Sequence, residues 1–137
     1  MSSDPRYPVG KFTPDYNVTP EKRAQWIQQI GDFPREFKAT VDALPGGALD
    51  RPYREGGWTG RQVVHHVADS HINAYVRFRL AVTENEPRIK TYEESLWAEL
   101  VDAKTADPAL SLTLLEALHK RWHMFLTSLG PADFART

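Results

Sequence analysis

The chain has 137 residues, 41% hydrophobic and 26% charged, with a formal net charge of −1 and no cysteine. That length suits one domain with a single core, and the even charge balance excludes the basic face a nucleic-acid partner requires. Without cysteine there is neither a disulfide framework nor a thiolate metal site, so any nucleophilic sulfur has to arrive with a substrate.

Residues 1–6 lack the apolar core of a signal segment, and no run approaches transmembrane length. A cytoplasmic protein with no membrane partner is expected. Residues 1–18 mix Pro5, Pro8, Gly10 and Pro14 with the aromatics Tyr7, Phe12 and Tyr16, which predicts an ordered arm without regular structure whose rings anchor over the core. Thr19, Pro20 and Glu21 give an N-cap, a first-turn proline and a first-turn acid, and Trp26, Ile27, Ile30, Phe33, Phe37, Val41 and Leu44 recur at helical spacing. The first helix is expected there, kinked at Pro34 and ended by Pro45, Gly46 and Gly47.

Thr59 and Gln62 form a capping box, with Trp58 placed to staple onto Val63, so the second helix begins at residue 59 and runs to about Glu84, short of Pro87. A polar connection to about Tyr92 leads to a short helical pattern at Leu96, Trp97 and Leu100. Asp107 and Pro108 open a third long helix with Leu110, Leu114, Leu118, Trp122, Phe125 and Leu129 on one side, closed by Gly130 and Pro131. The class is all-α. Bundles of this size commonly use four long helices, and residues 132–137 read as a lead into further chain.

On the second helix, Val63, Val67, Ala74, Phe78 and Ala81 make one apolar stripe, widened by Val64, His71, Tyr75 and Val82. Beside it runs a polar ridge of Gln62, His66, Asp69, Asn73 and Arg77, flanked on its far side by Ile72, Val76 and Leu80, a setting that suits a cleft lining. His66 can hold a metal through a neutral imidazole; the plainer reading is a partly buried histidine hydrogen-bonded within the bundle. His71 reads as a satisfied core residue. His65 points away from His66, so the two cannot chelate one ion. His119 and His123, four apart, could share a divalent cation, but Lys120 stands where a zincin motif needs glutamate, and a solvated face explains the pair equally well. No phosphate-binding loop or nucleophile elbow is present; Gly56 and Gly57 read as a tight turn, and Glu93 and Glu94 as a first-turn cap.

Residues 53–71, with Asn73, Tyr75, Arg77, Phe78 and residues 80–84, closely resemble the YfiT-like branch of the DinB superfamily of metal-dependent hydrolases and thiol transferases. The likeness extends through residues 7–10, 87–92, 97–100 and 118–122, essentially the whole chain. The resemblance implies a four-helix bundle holding one divalent ion, zinc or nickel, per complete subunit through three histidines, one of which matches His66. The other two, four residues apart on a last helix, would lie beyond Thr137; His119 does not match that pair. It also implies hydrolysis, or transfer of a small-molecule thiol of the bacillithiol type to an electrophile; their shared face with His66 makes Asp69, Asn73 and Arg77 candidate substrate-binding residues, and a homodimer is expected. The competing expectation is a non-catalytic helical bundle acting as a dimerisation or protein-interaction module. A chain ending at residue 137 is expected to show weak activity or none, because one imidazole cannot hold a catalytic ion against water.

Overall fold

Thr19 accepts a hydrogen bond from the Lys22 backbone N–H, and Pro20 occupies the first helical position, so helix α1 spans Pro20–Asp42. The computed structural model describes residues 4–137. Helix α2 spans Gly60–Thr83, the short helices α3 and α4 span Glu94–Trp97 and Val101–Thr105, α5 spans Pro108–Thr127 and α6 spans Pro131–Phe134. Among the described residues there is no strand, only an isolated bridge between Pro52 and Thr59. The tight turn before α2 uses Gly56 at φ +65°, a left-handed conformation glycine adopts without strain, and Tyr53 N–H donates to Trp58 O at 3.0 Å. No helix among the described residues is long and apolar enough to cross a membrane.

Helix α5 packs against both α1 and α2, and α4 closes one end of α2. The core lies along α5: Leu115, His119, Trp122 and Leu126 are buried together with Val64 and Ala68 of α2 and Ala103 of α4. This corrects two expected stripes. On α5, Leu110 and Leu114 are exposed, and the buried face is Ser111, Leu115, His119, Trp122 and Leu126, rotated one position. On α2 the fully buried residues are Gln62, Val64, His65 and Ala68, whereas Phe78 is exposed and Val63 and Val67 are half-buried.

In both cases the winning phase buries polar side chains that find partners. Gln62 closes the capping box with the Thr59 N–H at 3.0 Å and donates to Ala98 O at 2.7 Å. His65 Nε2 sits 3.0 Å from Ala106 O, and because a carbonyl only accepts, that nitrogen carries the proton and Nδ1 accepts from the Ser111 hydroxyl at 2.6 Å.

Helix α1 continues through Pro34. Pro34 has no N–H to give the Ile30 carbonyl four residues back. His119 Nδ1–H, 2.6 Å from that oxygen, supplies the missing donor across the helix interface. With its Nδ1 protonated, His119 Nε2 is an acceptor and takes the Nδ1–H of His71 at 2.6 Å. The rings of Phe33 and Trp122 enclose this relay, Phe33 lying 4.8 Å from His71 and 5.2 Å from His119.

Three smaller expectations also change. The aromatics of the arm, Tyr7, Phe12 and Tyr16, are exposed instead of lying over the core; residues 1–3 of that predicted arm lie outside the described residues. The short helix expected at residues 96–100 divides into α3 and α4, with Ala98 buried between them while Leu96 and Leu100 are exposed. Glu93 stands at the N-cap of α3 but its side chain makes no capping hydrogen bond. At the far end of α2, Arg136 donates to Ala81 O at 2.9 Å and Glu84 O at 2.8 Å, satisfying carbonyls at the helix terminus.

Candidate functional site

The capping box fixes where α2 starts, and from there helical spacing brings Gln62, His66, Asp69, Asn73 and Arg77 onto one face. The two ends of this ridge hold down the connection between α2 and α4. Arg77 Nη2 donates to Lys90 O at 3.1 Å, and Gln62 Nε2 donates to Ala98 O. Those ties are about 22 Å apart along the helix axis, so residues 90–98 run back along the ridge with His66, Asp69 and Asn73 between them. Tyr92, packed on Trp97 with ring centroids 4.7 Å apart, belongs to this covering segment.

His66 is half-buried, and the Trp58 ring lies against it at 4.8 Å. Among the described residues neither of its ring nitrogens has a hydrogen-bond partner, in contrast to His65, His71 and His119. Asp69 is half-buried too; burial pushes its carboxyl above the ordinary value and Asp102 adds to that, while His66 and His65 pull it back. Asn73 spends its amide N–H on Asp69 O at 2.8 Å. The structure thus groups His66, Asp69 and Asn73 under one covering segment and gives Arg77 the work of pinning that segment.

His119 and His123 do not form a chelating pair, because both nitrogens of His119 are committed, to Ile30 O and to His71. His71 is half-buried and held by the relay, as a core role requires. Burial, reinforced by His119 and then His66, lowers its pKa to about 4, so the ring is neutral at ordinary pH. Among the described residues no three histidine, aspartate or glutamate side chains are grouped to hold a metal ion. His66 is therefore one available ligand, and the described residues do not complete a set around it. A separate groove of about 630 Å³ lies between α1 and α5, lined in part by Gly31, Lys38, Leu112 and Met124, and none of the ridge residues lines it.

Sequence reasoning missed two members of the site. Trp58 was assigned only to the helix staple, and Tyr92 only to a polar connection; the ridge flanked by apolar residues was the one signal that something covers it.

Comparison with known proteins agrees with this architecture. The DinB superfamily pattern matches residues 29–137. The chain is similar to YfiT of Bacillus subtilis (strain 168), 48% identical over 130 residues, covering 95% of this chain and 73% of that protein. It is 52% identical over 134 residues to a protein of Bacillus mycoides (strain KBAB4), covering 98% of this chain and 77% of that one. Both are named as candidate metal-dependent hydrolases. The solved YfiT structure, described as a probable metal-dependent hydrolase with an unusual four-helix bundle topology, superposes with a TM-score of 0.91 at 47% identity, covering 96% of this chain and 75% of that one. The pattern match, the identities and the superposition agree: the chain belongs to the DinB superfamily.

Proposed function

We propose that the protein is a metal-dependent hydrolase of the YfiT kind in which His66 supplies one ligand to a divalent ion, zinc or nickel. The observation that carries this reading is the contrast among the histidines of α2. His65 and His71 spend ring nitrogens on the bundle, whereas His66 spends none and sits half-buried beneath a pinned segment. A set of three neutral imidazoles needs two more, and among the described residues none are grouped with His66. Such an ion supplies an acidified water or thiol near neutral pH.

The chain's own residues prepare the place. Trp58 restrains the His66 ring, and the segment over the ridge limits access of water to its middle. Asp69, one turn along the same face, offers a carboxylate beside the imidazole.

The finer reading is transfer of a low-molecular-weight thiol, bacillithiol in type, to an electrophile, with Asp69, Asn73 and Arg77 contacting the thiol. The absence of cysteine supports it only in requiring that the sulfur come from a cosubstrate. A cytoplasmic homodimer is part of the same proposal.

Metal analysis tests the reading. The full-length protein is expected to carry about one divalent ion per chain, and His66→Ala to lose most of it with helical content unchanged. A His66→Ala variant that retains its metal would remove His66 from the site.

A further inference from the structure

Buried polar atoms without a partner gather at one place between α2 and α5. Four side chains carry such an atom among the described residues, and three of them, Tyr75, Arg79 and Trp122, belong to one cluster in which the arginine and the tryptophan both meet the Tyr75 ring. The tyrosine hydroxyl can donate or accept, whereas Arg79 Nε–H and Trp122 Nε1–H can only donate. A buried donor left unpaired costs about 1–3 kcal/mol, and native structures keep few of them. The cluster has donors in excess and lacks an acceptor.

Charge is unbalanced in the same sense. The Arg79 guanidinium lies over two rings, 4.7 Å from the centre of Tyr75 and 5.1 Å from that of Phe125, and Arg121 reaches the same Tyr75 ring at 5.9 Å. Arg6, Arg35 and Arg61 are each paired with an aspartate. Arg79 and Arg121 enter none of the ion pairs among the described residues, and neither guanidinium donates a hydrogen bond there. The helices provide no local counter-charge either, since no aspartate or glutamate stands three or four residues to either side of Arg79 or Arg121. Two positive charges therefore meet at one ring with nothing in the bundle to neutralise them. The flanking rings restrain Arg79, so its fork of donors is in place before a ligand arrives.

We propose that this cluster is an anion site, in which Arg79 and Arg121 together hold the phosphate group of a small phosphorylated ligand. Phosphate brings up to two negative charges and several acceptor oxygens to two guanidinium groups, whereas a carboxylate brings one charge and would leave the other cation unmatched. Arg79 lies about 160° around the helix from Arg77 of the ridge. The site therefore faces away from His66 and does not depend on the reading of that residue as a metal ligand.

The Arg79 Nε–H resonance reports on the site directly. Adding inorganic phosphate to the full-length protein is expected to shift it along a saturable curve, while sodium chloride at the same ionic strength leaves it in place. Acetate is expected to bind at least about tenfold more weakly than phosphate. Arg121→Gln changes an exposed side chain and keeps the reporter; it is expected to weaken phosphate binding about tenfold, the scale of one lost hydrogen bond to a charged group. Arg79→Gln, followed by calorimetry at unchanged helical content, should lose at least as much, and if that variant fails to fold, Arg121→Gln decides alone. A phosphate response no larger than that to chloride, or an unchanged affinity in Arg121→Gln, would overturn the proposal. Acetate binding as tightly as phosphate would overturn the assignment of a phosphate group.

Discussion

Replacing His119 with Ala is expected to cost about 4 kcal/mol of stability, read as a lower denaturant midpoint with an unchanged slope. His119 is 2% exposed, so the substitution opens a cavity between α1 and α5. It also leaves the Ile30 carbonyl and the His71 Nδ1–H without partners, and each buried orphan costs about 1–3 kcal/mol. The carbonyl is available only because Pro34 cannot donate to it, which makes the mechanism separable from simple packing. In a Pro34→Ala background the residue-34 N–H can reach the Ile30 carbonyl, so His119→Ala should then cost less, with a coupling of about 1 kcal/mol between the two positions. Strict additivity would show that the bond to the Ile30 carbonyl contributes nothing to the cost.

Acid is expected to destabilise the fold well above the range where carboxylates titrate. Burial, then His119, then His66, holds the His71 pKa near 4 in the folded chain, against about 6.5 when unfolded. Burial also lowers His119, partly opposed by its bond to the Ile30 carbonyl. Between these values the unfolded chain binds protons that the folded chain does not. Stability is therefore complete above about pH 6.5 and declines as pH falls toward 4, by about 3 kcal/mol for His71, with His119 acting in the same direction. Around His71, α5 contributes His119, α2 contributes His66, and α1 contributes the uncharged ring of Phe33. Asp69, whose pKa is raised, works oppositely and only nearer the carboxylate range. Denaturant midpoints at pH 7 and pH 4.5 measure the effect, and His71→Phe should flatten it. A midpoint independent of pH across that interval would mean that the pair already accepts protons in the folded state.

The helices were legible because their signals are local. Thr19 with Pro20, Thr59 with Gln62 and Asp107 with Pro108 announce three N-termini within a few residues each, and α1, α2 and α5 begin there. The buried faces were not legible to the same degree. Counting apolar residues treats Gln62, His65, Ser111 and His119 as outward-facing, yet all four are buried. Their partners are remote: Ala98 for Gln62, Ser111 and Ala106 for His65, Ile30 for His119. A chain with leucine at positions 110, 112, 114, 115 and 118 leaves more than one phase open, and the choice among them falls to hydrogen bonds that no local pattern encodes. Pro34 shows the same limit, since the carbonyl it frees is taken by a histidine far along the chain.

The ridge itself was legible, since a strongly capped helix start fixes which side chains share a face. What covers it was not. The ties from Arg77 to Lys90 and from Gln62 to Ala98 decide that, and they bring in Tyr92.

Imidazole nitrogen chemical shifts, followed while zinc is added to the full-length protein, test the central claim most directly, because each ring reports separately. The ring nitrogens of His66 should move on binding, while those of His65, His71 and His119, already committed within the bundle, keep their metal-free positions. A His66 signal that stays fixed while zinc binds, or a response from the His71 and His119 pair in its place, would contradict the account.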